Sequence, residues 1–566
     1  MWLKALLLFF ALSFLVRTDH SFDQDLGRHI KTGEIIVNTL SVPKVNLFSY
    51  TNADFPFINT HWFFGVIAYF FNTTVGLQAL LILKVVIFLL SLWMIFSLIE
   101  KKFYPLFLPI SFIFLHVLRE RLELRPEIFS FLFASLILTI LFKYKEHFTK
   151  LIFALPLIQL AWINTHIYFF VGFLIQTIFL IHFGIKKEWG KLKRLSFITA
   201  ASILVSILNP NGISGLFYPL NVNKNYGYAI VENQNLFFLE KINFRDPNFL
   251  FVKLSIILVA VSLLFSLIRK NFSIINNLLA LSGVILALMY VRSFPYLVFL
   301  SLVPTIKNFG VTKVTPLTQL LTYILALILI IESVLYLNGS YYRHTDSDNK
   351  VELRYEESVK GAMDFVISHK LEGPIFNNFD IGSYIIYRGY PEYQVFVDGR
   401  PEAYPAQFLQ EVYVPAQADY FVKFKQMENE YKFKSIIFSH TDQTPWGQNF
   451  LKNVVSDPEW KVVYLDGFMI VLTKKSANID SLDLVNLTAD KYQFGNALSY
   501  LRMGIFLLNN SFTQAGFTFV DQALKLNPDS PSANSIMASL LSSSPNFAFS
   551  PKLLMMSKKS SNFYFW

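Results

Sequence analysis

The sequence predicts an α-helical polytopic membrane protein with a C-terminal α/β domain and a short helical tail. Of its 566 residues, 54% are hydrophobic, 60 are Phe and only 16% are charged. Long apolar segments fill the chain as far as residue 338, and shorter strand-like and helix-like runs follow. A water-soluble fold could not bury so much apolar surface, so a membrane protein is the first inference.

The apolar segments predict about eleven membrane spans, because a spanning helix needs roughly 20 apolar residues. They lie near residues 2–17, 75–99, 103–118, 127–142, 150–164, 167–184, 195–213, 248–268, 273–291, 294–308 and 315–337. The first segment has Lys4 ahead of an apolar run, as a signal peptide does, but no small-residue cleavage site follows it. We therefore expect a retained signal-anchor helix.

Lys and Arg are concentrated in connectors between these segments, at 100–102, 143–150, 186–194, 269–270 and 307–313. This positive-inside pattern places the N-terminus and these connectors in the cytoplasm. It also accounts for the net charge of +10 without a nucleic-acid partner. An odd number of spans places the chain after residue 338 outside. We expect a multi-pass protein of a bacterial cytoplasmic membrane with an extracytoplasmic C-terminal domain.

Four regions are predicted: a transmembrane domain at 1–338 with a long first outer loop at 17–60, an α/β domain at 339–478, a helical segment at 485–545 and a tail at 546–566. Strands are expected at 374–377, 383–387, 394–397 and 434–438, and a hairpin at 460–472 turns on Asp466-Gly467. Small residues in 485–545 are spaced as in a tetratricopeptide repeat. This TPR-like segment either caps the α/β domain, docks a protein partner or is a plain helical hairpin.

Two carboxylates, Asp23 and Asp25, follow the first span in the stretch FDQDLGRHIKTG. A carboxylate at the mouth of a helical bundle can deprotonate an acceptor, hold it by hydrogen bonds or ligate a divalent cation such as Mg²⁺ or Mn²⁺. The alternative is helix capping and solvated loop charge. No other cofactor is predicted, and the absence of Cys excludes a thiol nucleophile and a Cys-ligated metal.

Arginines form the second candidate group at the predicted outer face, where Arg119, Arg121 and Arg125 share one connector and Arg292 precedes a late span. Each could simply reach lipid phosphates. Several that converge would suit a phosphate-bearing lipid substrate, because guanidinium groups pair with phosphate through two parallel hydrogen bonds.

Polar residues at the outer helix ends include His61, Asn164 and His166. Interfacial polar and aromatic residues are common at such positions. A metal role for the two histidines is disfavoured, because no His-x-x-x-His or His-Asp cluster accompanies them.

The layout and several motifs resemble the GT-C glycosyltransferases, membrane enzymes that use polyprenyl-phosphate-linked sugars. Phe22-Asp23 is similar to the F-D-P of the oligosaccharyltransferase catalytic subunit. Motifs similar to those of bacterial GT-C-like proteins of undefined substrate occur at 28–33, 43, 48–51, 61–62, 125–127, 162–166, 209–212 and 397–400. The resemblance thus covers about residues 15–410. At 378–382 Asp380 and Gly382 match W-W-D-Y-G, but both tryptophans are missing, so protein N-glycosylation is not carried over.

The resemblance implies an inverting transfer of a sugar from a polyprenyl-phosphate-linked donor to an acceptor on the outer face. Asp23 or Asp25 would act as base or position the acceptor, and would hold the metal if one is used. Arg292 would bind the donor phosphate, with Arg119, Arg121 and Arg125 as further candidates. The acceptor side would comprise His61, Asn164, His166, Asp380, Asp398 and Arg400.

Two other functions stay open on the sequence. A non-enzymatic membrane scaffold would bind partners through the α/β and TPR-like regions, and its charged residues would be scattered. A transporter would need inverted repeats or broken helices, and the sequence shows no matching halves. An enzyme predicts instead that Asp23 or Asp25, Arg292 and Asp380 surround one cavity.

Overall fold

A computed structural model describes residues 2–119, 121–221, 226–228, 230–242, 246, 248–270, 272–310, 314–347 and 349–542. Its first part is a bundle of helices. They are α1 (Trp2–Leu15), α2 (Gly27–Thr39), α3 (Trp62–Phe70), α4 (Leu77–Ser97), α5 (Tyr104–His116), α6 (Glu127–Glu146), α7 (Leu155–Thr165), α8 (Phe170–Ile185), α9 (Trp189–Ser206), α10 (Gly212–Phe217), α11 (Leu236–Lys241), α12 (Asn248–Ile268), α13 (Ile274–Met289), α14 (Phe294–Phe309) and α15 (Pro316–Leu337).

Five helices in the described part of the chain are long and apolar enough to cross a membrane: Leu77–Ser97, Glu127–Glu146, Ile167–Ile185, Asn248–Ile268 and Pro316–Leu337. A helix also lies within each of the other predicted spans, but most of these are shorter. Several begin with Pro in the first turn, as α5, α7 and α14 do, because a helix start does not need the backbone N–H that Pro lacks. The membrane character is clear, and eleven crossings stay a prediction.

The predicted first outer loop is largely helical. A π-helical turn, Phe22–Leu26, leads directly into α2, which packs against α3 and against a helix of the C-terminal domain. Gly33 and Gly65 allow α2 and α3 to cross closely, because a Cβ on Gly33 would lie 2.0 Å from the Gly65 carbonyl oxygen. The loop therefore joins the two halves of the molecule through packed backbone.

The C-terminal domain contains a four-stranded sheet of order β1-β2-β4-β3, with β1 parallel to β2 and the other pairs antiparallel. The strands are β1 (Ile375–Asn377), β2 (Ser435–Ser439), β3 (Trp460–Leu465) and β4 (Met469–Lys474). Its helices are α16 (Ser340–His344), α17 (Lys360–Ser368), α18 (Gly382–Gly389), α19 (Val414–Ala418), α20 (Lys425–Tyr431) and α21 (Pro445–Ser456). The predicted strands 374–377 and 434–438 and the hairpin are thus confirmed.

Two predicted strands of this domain are wrong. Residues 383–387 lie in α18, where Ile385 and Ile386 are both fully buried between α2 and the core. A short apolar run buried on all sides shows no periodicity that separates a strand from a helix. Residues 394–397 are extended but do not join the sheet. Val395 exchanges backbone hydrogen bonds with Phe48 and Tyr50 of the first loop instead.

The TPR-like segment forms three helices, α22 (Ala497–Asn509), α23 (Thr513–Leu526) and α24 (Pro531–Ser542). Gly504 and Gly516 allow α22 and α23 to pack closely, because a Cβ on either would lie within 3 Å of a side chain of the other helix. Phe506 and Phe519 are buried in the same core as the sheet, so these helices pack on the α/β domain. A protein partner for them stays a prediction, and the predicted tail 546–566 lies outside the described residues.

Candidate functional site

Three arginines converge on one carboxylate between the membrane helices and the C-terminal domain. Arg121 Nη1 lies 2.8 Å from Glu232 Oε1, and Arg125 Nη1 lies 2.6 Å and 2.7 Å from the two carboxylate oxygens. Arg292 Nη2 lies 3.6 Å from Glu232 Oε2. We call Arg121, Arg125, Arg292 and Glu232 the arginine cluster. Its members come from three connectors that are far apart in sequence.

Local structure explains how these connectors meet. Arg121 and Arg125 lie between α5 and α6, and Arg292 lies in a 3₁₀ turn between α13 and α14. Glu232 lies in a 3₁₀ turn of the long connector after α9. The amide of Val291 donates to the carbonyl oxygen of Gln234 at 3.0 Å, which fixes the Glu232 turn beside Arg292.

Asp25 joins the cluster from the π-helical turn. Its Oδ1 accepts from Arg28 Nη2 at 2.5 Å, and its Oδ2 lies 3.3 Å from Arg125 Nε. Burial acts to raise the pKa of Asp25, but the charges of Arg125 and Arg28 outweigh it and hold the pKa below its usual value. Asp25 is therefore ionised at neutral pH. The sequence prediction that Asp25 and Arg292 belong to one site fits this arrangement.

Guanidinium groups outnumber carboxylates among the groups that form ion pairs in the site. Four guanidinium groups, the three of the cluster and Arg28, face three carboxylates, since Glu127 lies 3.5 Å from Arg121. Burial acts to raise the pKa of Glu232, but Arg121, Arg125 and Arg292 outweigh it and hold the pKa far below the usual value. The buried Nε atoms of Arg121 and Arg292 have no hydrogen-bond partner among the described residues. Donors that lack partners suit an anionic ligand.

Asp23 has different surroundings from Asp25. Its side chain is 6% exposed, and its Oδ2 accepts from the backbone amide of Ser358 at 2.9 Å. No arginine pairs with it within the described residues. Burial is the main cause that raises the pKa of Asp23 to about 8, so this carboxyl holds its proton at neutral pH. Asp23 thus links the first loop to the C-terminal domain.

Asp380 lies beside Asp25, because the turn Phe379–Ile381 packs on the turn Phe22–Leu26. Its side chain is accessible to solvent, although protein atoms surround it on most sides. This recessed position and the nearby charge of Asp442 raise the pKa of Asp380 to about 7. A carboxyl with a pKa near neutral can both accept and release a proton at physiological pH.

The predicted acceptor-side histidines form a row next to the cluster. The ring of His61 lies 5.9 Å from that of His29 and 5.4 Å from that of His166. His166 Nδ1 is 2.7 Å from Ser130 Oγ, and Asn164 Oδ1 accepts from Trp62 Nε1 at 2.8 Å. Burial is the main cause that lowers the pKa of His61 to about 3, with the charge of Arg28 acting in the same direction. His61 is therefore neutral.

The other predicted residues lie elsewhere. Arg400 forms a two-pronged ion pair with Asp398 at 2.7 Å for each contact, and it also donates to Asn46 at 3.0 Å. This buried pair fastens the first loop to the C-terminal domain and does not contact the arginine cluster. Arg119 lies over the rings of Phe251 and Tyr341, at 5.1 Å and 5.9 Å, on another side of the connector.

A divalent cation does not fit the carboxylates as they are arranged. The two oxygens of Asp25 already face guanidinium groups, and those of Glu232 face three. Within the described ranges, no three His, Asp or Glu side chains are grouped so that they could hold a metal ion. Four guanidinium charges nearby would also oppose a cation.

Sequence reasoning did not single out Glu232, Arg28 or His29. Glu232 is one acidic residue in a polar connector, and the residues next to it in sequence do not distinguish it from an ordinary solvent-exposed charge. Arg28 and His29 lie within the stretch already singled out for Asp23 and Asp25. Their helical position in α2 was the missing fact, because it turns them toward the same site as Asp25.

Comparisons with known proteins identify the fold. No protein-family profile and no curated protein matches the chain. A solved structure does: the archaeal oligosaccharyltransferase AglB from Archaeoglobus fulgidus, in complex with an inhibitory peptide and a dolichol-phosphate. The match has a TM-score of 0.51 at 13% identity and covers 80% of this chain and 71% of AglB. The chain therefore has a GT-C-like membrane fold, similar to that of AglB, as its sequence motifs predict.

Proposed function

We propose that this protein is a membrane glycosyltransferase that moves a sugar from a polyprenyl-phosphate-linked donor to an acceptor. The observation that carries the proposal is the arginine cluster, in which Arg121, Arg125 and Arg292 converge on one anionic group. Guanidinium groups are suited to phosphate because they offer paired N–H donors in a fixed fork. The GT-C-like fold adds support, since AglB was solved with a dolichol-phosphate.

The donor phosphate would take the place that the Glu232 carboxylate occupies in the cluster. Glu232 is 22% exposed and belongs to a connector, so it can leave without disturbing a helix. The unpartnered Nε atoms of Arg121 and Arg292 would add donors for the extra phosphate oxygen. The charge that develops on the leaving phosphate would then be stabilised by groups already in position.

The transfer itself is a substitution at the anomeric carbon of the sugar. The acceptor oxygen or nitrogen forms a bond to this carbon as the carbon–oxygen bond to the phosphate breaks, and the phosphate leaves with the electron pair. The acceptor proton passes to a carboxylate. Asp380 suits this role by its accessibility and its pKa near neutral, while Asp25 holds Arg28 and Arg125 in place and positions the acceptor.

No step of this proposal requires a divalent cation, because the arginine side chains supply the positive charge next to the leaving group. His61, His166 and Asn164 border the cluster and would contact the acceptor. The side chains along this border would select the acceptor, which would be a glycan, a lipid or a protein. Residues 378–382 differ from the peptide-binding motif of the oligosaccharyltransferase, because the tryptophans of that motif are missing at 378–379.

The site would face the outside of a bacterial cytoplasmic membrane. The basic connectors 100–102, 143–150 and 186–194 lie at the opposite ends of the helices that lead to the cluster, which supports a cytoplasmic position for them. Labelling of single-cysteine variants at residues 24 and 187 tests the orientation. Residue 24 should react with an impermeant reagent on intact spheroplasts, and residue 187 only after lysis.

A scaffold without catalysis is less well supported. It predicts scattered charges, whereas Asp25 and Arg292 each pair with a member of the arginine cluster and Asp380 lies beside Asp25. The proposal that the TPR-like helices bind a protein partner is compatible with either function.

The activity is tested with membranes that contain the full chain and a panel of polyprenyl-phosphate sugars. Arg292→Gln and Arg121→Gln should each lower kcat/KM roughly 10- to 100-fold, the effect of about 1.5–3 kcal/mol per charged hydrogen bond. The matched control is Arg388→Gln, which removes an exposed pair with Asp364 on the C-terminal domain. Asp380→Asn should lower turnover roughly 10²- to 10⁴-fold. Wild-type turnover in both cluster variants would refute the assignment.

A further inference from the structure

A second cavity lies at the other end of the membrane domain. It has a volume of about 190 Å³ and is lined at the starts of α1, α5 and α15, by residues that include Trp2, Lys101, Tyr104, Gln319 and Thr322. The helices α1 and α5 run from this cavity toward the segments that carry Asp25 and Arg121. The cavity is therefore a full helix length from the arginine cluster, and the proposed transfer does not use it.

The cavity is positively charged. Lys101 lines it, and within the described residues its ammonium group makes no ion pair or hydrogen bond. Lys4 lies close by, with its Nζ 6.0 Å from the centre of the Tyr104 ring. Glu100, the residue before Lys101, is paired with Lys102 at 2.6 Å. The Lys101 charge thus faces the cavity without a counter-ion among the described residues, and the Lys4 charge lies next to Tyr104, which also lines the cavity.

Uncovered apolar surface lies near the polar part of the cavity, on α15 beyond the residues that line it. On α15, the residues that follow its polar first turn are large and exposed to the surroundings of the protein; they are Leu320, Ile324 and Leu327, at 56%, 47% and 58% exposure. Trp2 and Tyr323 are also exposed, at 53% and 64%. Exposed Trp and Tyr beside a lysine are typical of the boundary between lipid headgroups and acyl chains. A charged group and apolar surface thus lie next to each other here, as the headgroup and the acyl chains do in a phospholipid.

We propose that this cavity binds one anionic phospholipid. Lys101 and Lys4 would contact the headgroup phosphate, the Gln319 amide would donate to headgroup oxygens, and the acyl chains would lie along the exposed face of α15. Basic pockets between membrane helices recognise anionic headgroups through the same combination of charge and shape. This site is independent of the proposed transferase activity, since it shares no residue with the arginine cluster.

The experiment is native mass spectrometry of the full chain, delipidated in detergent and titrated with phosphatidylglycerol or phosphatidylcholine. We expect one phosphatidylglycerol per chain, bound about tenfold more tightly than phosphatidylcholine. Lys101→Gln should lower the phosphatidylglycerol affinity about fivefold. The matched control is Lys193→Gln, an exposed lysine of α9 that does not line the cavity, and it should bind as the wild type does.

A second variant keeps both charges and changes only the space. Thr322→Phe places a ring in the cavity, and it should abolish the bound lipid while both lysines remain. Equal affinity for the two lipids, or unchanged phosphatidylglycerol binding in both Lys101→Gln and Thr322→Phe, would overturn the proposal. Glycerol 3-phosphate separates a lipid from a free phosphate. Displacement of the lipid by an equimolar amount would overturn the lipid assignment, and retention of the lipid supports it.

Discussion

Replacement of Glu232 by Gln is the most informative perturbation of the arginine cluster. The Glu232 carboxylate is the anion that Arg121, Arg125 and Arg292 hold in the absence of substrate. If a donor phosphate binds to the same arginines, it must displace this carboxylate. Glu232→Gln keeps the size of the side chain and removes its charge, so the phosphate would meet a weaker competitor.

The contact geometry sets the size of the effect. Glu232 has contacts of 2.6 Å and 2.8 Å to two arginines and a longer one of 3.6 Å to the third. A hydrogen bond to a charged group contributes about 1.5–3 kcal/mol, and Gln retains part of this as a neutral acceptor. A net gain of about 2 kcal/mol for the incoming phosphate corresponds to roughly 10- to 100-fold tighter binding.

The assay is equilibrium binding of a short-chain polyprenyl monophosphate to the purified chain, measured by calorimetry for wild type and Glu232→Gln. The control is Glu240→Gln, which neutralises an exposed carboxylate paired with Lys253 outside the cluster. Without ligand, Glu232→Gln should also melt at a lower temperature, because four guanidinium groups then face two carboxylates, and the phosphate should restore the loss. Unchanged or weaker phosphate binding in Glu232→Gln would refute the reasoning that phosphate and Glu232 share one place.

Three further predictions concern stability. Lys84→Met should destabilise the fold by roughly 3–5 kcal/mol, because it leaves the buried Asp19 carboxylate, 2.8 Å away, without its positively charged partner. Thermal unfolding measures this loss. The control Lys253→Met should unfold at almost the wild-type temperature, because its pair with Glu240 is exposed. Asp23→Asn should flatten the pH dependence of stability: burial raises the pKa of Asp23 from 3.8 to about 8, so its contribution is complete below pH 3.8 and is lost as the pH rises through 8. The melting temperature of the wild type should therefore fall relative to that of the variant as the pH rises from about 4 to 8, and an offset that does not change over this range would contradict this account. Gly33→Ala should cost roughly 1–3 kcal/mol, because its Cβ would lie 2.0 Å from the Gly65 carbonyl oxygen, whereas Gly190→Ala meets no atom within 4 Å and should be tolerated.

Much of the fold follows from sequence pattern, because long apolar runs and basic connectors leave few alternatives. Helices lie in all eleven predicted segments, and the hairpin at Asp466-Gly467 forms as expected. The pattern fails where burial is complete on all sides, as for Ile385 and Ile386 in α18. There the packing partner α2 determines the structure, and periodicity carries no information about it.

The site was predictable only in part, for a physical reason. Arg121, Arg125 and Arg292 are unusual residues beside apolar segments, so they stand out in the sequence. Glu232 does not, because its role depends on the turn that brings it to these arginines. Likewise the two neighbouring aspartates look equivalent in sequence. The π-helical turn points Asp25 at arginines and Asp23 at the backbone of Ser358.

The distribution of the cluster along the chain has a consequence for biogenesis. Asp25 and Arg125 leave the ribosome when fewer than a third of the residues have been made, whereas Arg292 follows only with the late pair α13 and α14. A nascent chain that ends before α13 thus carries Glu232 with Arg121 and Arg125 but without Arg292. The complete set of three arginines around one carboxylate therefore forms only once α13 and α14 have packed against the earlier helices.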